Sequence, residues 1–128
     1  VDTSDGLLVP VIRDVSTKSL DEIVSQSKAL IEKARSGRLT REEMSGGVLS
    51  ITNLGSFGID AFTPIINVPE IAILGLGAIR REPMFDAHGQ VVAVERMVLS
   101  LTFDHAAVDG APAAAFLKDL VGEIESVH

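Results

Sequence analysis

The chain has 128 residues, 46 % of them apolar, and 18 acidic against 11 basic side chains give it a net charge of −7. That length is one domain's worth with enough apolar material for a core, so a single globular unit is expected, and the charge has the wrong sign for binding nucleic-acid phosphates. The longest wholly apolar run, Ile71 to Ile79, is nine residues with two glycines, far from the ~20 that cross a bilayer. The absence of cysteine removes disulfides, thiolate nucleophiles and cysteine-based zinc sites.

The opening VDTSDG has neither an initiator Met nor a basic-then-apolar leader and reads as the start of a processed or cut piece. Asp5 to Val15 (DGLLVPVIRDV) reads as an apolar strand after an Asp-Gly turn, and Pro10, which cannot donate to a ladder, confines it to an edge or a bulge. Ser19 to Glu22 is a capping box. Leu20, Ile23, Val24, Ser27, Leu30, Ile31 and Ala34 follow at three- and four-residue steps until Gly37, which predicts a helix with a charged outer face. Thr40 to Glu43 repeats the capping pattern over one short turn, and Gly46-Gly47 breaks it.

Val48 to Thr52 alternates apolar and hydroxyl residues, the period of a strand with one buried face, and Thr52 falls on its polar side. Asn53 to Pro64 is rich in turn formers and reads as an ordered loop with two buried aromatics, Phe57 and Phe62. Ile71 to Ile79 is apolar on both faces and predicts a central strand. Asp86-Ala87-His88-Gly89 reads as the turn of a hairpin, leading into one long strand from Val91 to Phe103. After Asp109-Gly110, the spacing of Ala113, Phe116, Leu117, Leu120, Val121 and Ile124 predicts a helix over 111–124. Strand, helix, several strands, helix is the order of an α/β fold, a two-layer sandwich with a mixed β-sheet covered by helices.

One stretch, LTFDHAAVDGA, ends a strand on a histidine four positions before Asp-Gly. A strand fixes the backbone of His105 while Gly110 turns the chain away, which leaves the imidazole accessible as a neutral base at pH 7. Three readings stay open: that base, a loop histidine tethered by Asp104 or Asp109, or a metal site in which His105, Asp104 and Asp109 are ligands. Asp109 stands just before a helix and either caps it or orients His105, and the two roles are compatible. Thr52 is a lone hydroxyl near a strand end, which gains meaning only beside a partner site.

These residues resemble the catalytic domain of the dihydrolipoamide acyltransferases, the core subunits of 2-oxo acid dehydrogenase complexes, whose fold is shared with chloramphenicol acetyltransferase. The blocks that carry the likeness are VDTSDGLLVPVIRDV, GGVLSITNLGSFGIDAFTPIINVPEIAILGLGAI, MVLSLTFDHAAVDGA and AAFLKDLVGEI, nearly end to end. The resemblance implies acyl transfer between a lipoyl-bound thiol and coenzyme A, both as substrates, with no cofactor bound covalently to this chain and no metal. It implies that His105 is the general base, Thr52 the oxyanion donor, and Asp109 an orienting or stabilising group. It further implies a homotrimer, or a larger core, with the site between subunits, so that His105 and Thr52 come from neighbouring chains. The implied partners are a lipoyl domain and the dehydrogenase subunits, and the implied compartment is the cytoplasm, or the mitochondrial matrix for a eukaryotic source.

Three departures modify these expectations. Ala106 stands where the family usually has arginine, so the loop should lose an anchor. The family domain is roughly twice this length, which makes residues 1–128 the C-terminal portion of one catalytic domain without lipoyl or subunit-binding domains. The chain ends EIESVH, without the apolar anchor that joins trimers into shells. Two further readings remain: an inactive structural remnant of such a core, and a condensation-type acyltransferase using carrier-protein thioesters, which shares the HxxxDG pattern.

Overall fold

The computed structural model describes residues 1–127. Its contacts fall into two compact units, Val1–Gly47 and the remainder from Val48 onward, rather than around the single core that length and composition suggest. The buried apolar residues divide accordingly: Leu30 and Ala34 in the first unit, Ile73, Leu74, Ala78 and Ala113 in the second. Among the described residues no helix is long and apolar enough to cross a membrane.

In the first unit, β1 (Asp2–Thr3) and β2 (Gly6–Leu7) form a two-residue antiparallel ladder. The strand expected from Asp5 to Val15 therefore shrinks to Gly6 and Leu7: residues 8–14 form no ladder, and Pro10 has no amide hydrogen to donate to one. Helix α1 (Leu20–Arg35) begins as its capping box predicts: Ser19 Oγ accepts from Glu22 N at 3.3 Å, and Glu22 Oε2 accepts from Ser19 N at 2.7 Å. Those bonds, the Ser19 amide first and its hydroxyl second, hold the Glu22 carboxyl below its ordinary range. Gly37, at φ +66°, lets the chain leave the helix. The second capping pattern closes around one 3₁₀ turn, Glu42–Met44, where Glu43 accepts from Thr40 N and from the Lys33 ammonium, and both lower its pKa, Lys33 the more. Arg13 donates to the carbonyls of Glu42 and Ser45 at 2.8 and 2.9 Å and ties this turn to the segment before α1.

The second unit is built on a three-stranded mixed sheet in the order β3 (Ser50–Asn53), β4 (Ala72–Leu76), β7 (Leu99–Phe103), with β3 parallel and β7 antiparallel to β4. The central strand expected within Ile71 to Ile79 is β4, with Ile73 and Leu74 buried. On β3 the expected polarity is reversed: Ser50 is buried and Ile51 is 65 % exposed. Helix α2 (Gly110–Ser126) touches β7 and buries Ala113.

The loop after β3 lies directly on the end of β4. A Cβ on Gly77 would stand 1.9 Å from the Asp60 carbonyl oxygen, and one on Gly55 would stand 2.3 Å from that of Gly77, so no side chain fits at either place. Phe62 packs its ring over Gly75 and is half-buried, whereas Phe57 is 75 % exposed, so neither aromatic of this loop is fully buried as expected.

The single long strand expected from Val91 to Phe103 is two. β5 (Arg80–Phe85) and β6 (Val91–Arg96) form an antiparallel hairpin whose turn is closed by Asp86, which accepts from the amides of His88, Gly89 and Gln90. The register explains the break: Arg96 faces Arg80 and Leu99 faces Leu76, so two residues on one side oppose three on the other. An unequal count interrupts a ladder, and the chain changes partners at Met97 and Val98.

Candidate functional site

The end of β7 is fixed before the chain reaches His105. Phe103 pairs with Ala72, and Asp104 N donates to the Ile71 carbonyl at 2.8 Å, which extends the sheet by one bond. A tight turn follows, in which Ala107 N and Val108 N both donate to Asp104 O at 3.0 Å. The Asp104 carboxylate accepts from Ala106 N at 2.9 Å. Asp104 is thus occupied with its own loop and does not tether the histidine. The same bonds close the turn at Ala106, where the missing arginine led us to expect a looser loop.

His105 Nδ1 lies 3.7 Å from Asp109 Oδ1, with side-chain exposures of 74 % and 85 %. That distance is longer than a hydrogen bond, and the two groups form an ion pair only when the imidazole carries a proton on both nitrogens. Asp109 occupies the N-cap position of α2 with extended backbone, but its side chain makes no capping bond. The carboxylate thus approaches the imidazole and makes no bond to the amides that open the helix. The His105 ring also stands 5.8 Å from the Phe103 ring, tilted at 41°. Among the described residues, no group of three or more histidine, aspartate or glutamate side chains is placed to hold a metal ion.

Thr52 is not in this cluster. Its register row contains Gly75 and Ser100, three rows from the Ala72–Phe103 pair, and His105 lies two residues further on. Three rows alone span ~10 Å along the strands, too far for the Thr52 hydroxyl and the His105 imidazole of one chain to touch one carbonyl carbon.

One residue beside the histidine escapes sequence reasoning. Glu70 is only 9 % exposed; its Oε1 accepts from Asn67 Nδ2 at 3.1 Å, while its buried Oε2 has no hydrogen-bond partner among the described residues. It lines a cavity of about 540 Å³ together with His105. The signal was a carboxylate set immediately before the most apolar run in the chain, where the backbone enters a buried strand.

By fold, the molecule is an α/β protein with a mixed sheet, of the class formed by the catalytic cores of dihydrolipoamide acetyltransferases. The structure of the Azotobacter vinelandii dihydrolipoamide acetyltransferase superposes with a TM-score of 0.88 at 46 % identity, over 94 % of this chain and 49 % of that one. The cubic core of the pyruvate dehydrogenase multienzyme complex superposes with a TM-score of 0.89 at 44 % identity, over 98 % and 53 %. In sequence, the chain is 49 % identical over 121 residues to the dihydrolipoyllysine-residue acetyltransferase component of the acetoin cleaving system of Bacillus subtilis, across 94 % of this chain and 30 % of that protein. The family model for the 2-oxoacid dehydrogenases acyltransferase (catalytic domain) matches residues 1–128, and the chain belongs to that family. It spans about half of each of these solved chains and 30 % of the Bacillus relative.

Proposed function

We propose that the protein carrying this chain moves an acyl group between a dihydrolipoyl thiol and coenzyme A within a 2-oxo acid dehydrogenase complex, and that residues 1–128 are the C-terminal portion of its catalytic domain. The observation that carries the reading is the open imidazole of His105 with the Asp109 carboxylate turned toward it instead of capping α2. A thiol of pKa ~8.5 is mostly protonated at neutral pH and is a poor nucleophile until a base takes its proton. His105 accepts that proton, and the thiolate sulfur attacks the thioester carbonyl to give a tetrahedral oxyanion. Collapse of the intermediate breaks the original carbon–sulfur bond, and the departing thiolate recovers the proton from His105. The 3.7 Å contact of Asp109 orients and charge-stabilises the imidazolium between those events. Such contacts are often long before a substrate is bound.

Thr52 donates its hydroxyl to the oxyanion, from a neighbouring copy of the chain. Two things support that assignment. Within one chain Thr52 is too many register rows from His105 to share a carbonyl with it. Large apolar side chains in the same unit, Ile51, Ile65 and Val68, are 65 %, 90 % and 84 % exposed, which suits a surface covered on assembly. The Azotobacter enzyme was studied for the roles of a serine, a histidine and an asparagine in catalysis, the last two four positions apart, the spacing of His105 and Asp109. The reading entails a homotrimer or a larger core, a visiting lipoyl domain, dehydrogenase partners, a cytoplasmic setting, and coenzyme A and the lipoyl group as substrates rather than resident cofactors.

The test is acyl transfer from acetyl-, succinyl- and isobutyryl-coenzyme A to dihydrolipoamide, run on the 128-residue chain beside the full-length protein. We expect transfer by the full-length protein at a mass of three or more copies. Absence of transfer with every donor overturns the proposal.

A further inference from the structure

We infer that Phe103 is a positioning residue for the base: its ring is the surface against which the neutral His105 imidazole is held before it accepts a proton. The inference rests on the acyltransferase reading above and adds a residue that reading does not use.

The backbone of His105 is fixed on both sides. Asp104 N donates to the Ile71 carbonyl before it, and Ala106 N donates to the Asp104 carboxylate after it, at 2.8 and 2.9 Å. The side chain has no comparable hold from Asp109, whose carboxylate stays 3.7 Å away while 74 % of the histidine side chain is exposed. An imidazole free to change rotamer points away from its proton donor for part of the time, and each misdirected state is lost to catalysis.

Phe103 supplies the missing hold. Side chains two apart on a strand share a face, and the Asp104 bond to Ile71 carries the strand one residue past Phe103. The two ring centroids stand 5.8 Å apart with the planes tilted at 41°, within the range of favourable aromatic pairs. Phe103 is itself anchored, half-buried and in the ladder opposite Ala72. Its contact with the imidazole does not depend on charge. Asp109 gains an ion pair only once the ring is doubly protonated, so Phe103 aims the base before the transfer and Asp109 stabilises it afterwards.

Phe103 also lines the cavity beside His105, with Ile66, Val68 and Pro69, so the experiment must separate aiming the base from shaping that cavity. Acetyl transfer between coenzyme A and dihydrolipoamide is measured in the full-length protein for Phe103→Leu and Phe103→Tyr, and for Phe103→Leu placed on His105→Ala. Phe103→Leu is expected to lower kcat about three- to ten-fold, with KM for both thiols within about two-fold of wild type. Phe103→Tyr keeps the ring and should retain at least about half of the wild-type kcat. On His105→Ala, assayed at high enzyme concentration, the leucine should change the residual rate by less than about two-fold, because a positioning residue has nothing left to aim.

An unchanged kcat in Phe103→Leu overturns the inference and leaves the acyltransferase reading intact. So does a rise in KM alone, which makes Phe103 a wall of the cavity. A loss that persists at full size on His105→Ala places its action on the fold or the substrate, and a tyrosine variant as slow as the leucine one shows that the ring is not what matters. A wild-type protein that transfers to neither thiol overturns the acyltransferase reading and this role with it. Should Phe103→Leu fail to fold, Phe103→Met, long and flexible enough to fill the space without a ring, replaces it in both backgrounds.

Discussion

The two ends of the β3–β4–β7 sheet differ in what a single chain gathers there. At the end where β7 stops, an imidazole, a carboxylate and a cavity lie together: His105 stands 3.7 Å from Asp109 and lines the cavity with Glu70. Toward the other end, Thr52 contributes a single half-exposed hydroxyl, with a glycine beside it on β4. The first end is assembled by one chain through a strand, a tight turn and a helix start. The second holds a hydroxyl three register rows from the Ala72–Phe103 pair. Under the proposed acyl transfer the sheet holds apart two groups that have to meet on one carbonyl, and the missing group of each site is assigned to a second copy.

The largest effect belongs to the base. His105→Ala in the full-length protein should lower acyl transfer by about 10³–10⁴-fold with the fold intact, and wild-type rates in that variant would remove the imidazole from the mechanism. Thr52→Ala should lower kcat by about 10²–10³-fold with little change in the affinity for coenzyme A, whereas a pure loss of affinity argues against an oxyanion role. Mixing these two variants sharpens the contrast between the ends. If each site spans two chains, randomly mixed trimers recover about a quarter of the wild-type rate, the statistical share of interfaces with both groups. If each chain holds its own site, mixing restores nothing.

Asp109 is a smaller lever. Asp109→Ala should reduce kcat about ten-fold through the orientation of His105, and Asp109→Asn, which keeps an oxygen at that distance, should recover most of it. Because Asp109 makes no capping bond, thermal stability should hardly move in either variant. A loss of stability with unchanged kcat would return Asp109 to the capping role.

The smallest effect lies in the first unit, away from the chemistry. Ser19→Ala removes the two bonds of the hydroxyl, from Glu22 N and to Glu22 Oε2, leaves the residue 19 amide donating to Glu22, and should cost about 1 kcal/mol in denaturant unfolding. The Glu22 carboxyl has its pKa lowered by those bonds, so its contribution is present above the ordinary glutamate range and is lost as pH falls through the folded value. Ser19→Ala keeps the larger of the two bonds, so the decisive variant is Glu22→Gln, which should show a shallower loss of stability between about pH 5 and 3 than the wild type, and identical acid limbs would contradict the capping assignment.

The parts legible in the sequence share a short range. The capping boxes at Ser19 and Thr40, the helix over residues 20–35, the Asp86 turn and the apolar β4 each depend on residues within a few positions of one another, where side-chain period and local hydrogen bonding decide the outcome. The readings that changed depended on partners elsewhere. Asp5 to Val15 has the composition of a strand but found no ladder beyond Gly6 and Leu7, and Val91 to Phe103 was divided by two different partner strands whose register does not match. The inward turn of Ser50 and the exposure of Ile51 reverse an alternation that shows two faces without saying which one is buried.

The same division holds for the function. Residue types and their order, HxxxDG after the ITNLG and FTPIIN blocks, determined the family; the place of His105 at a strand end marked it from the residues alone, whereas the roles expected of Thr52 and Asp109 came with the resemblance. Only the tertiary structure decided that Asp109 approaches the imidazole and makes no capping bond to α2, that Thr52 lies rows away from His105, and that Glu70 is buried with one oxygen unpaired among the described residues. Distances and satisfied hydrogen bonds are set by which strands pair and in what register, and register depends on contacts between residues far apart in the chain.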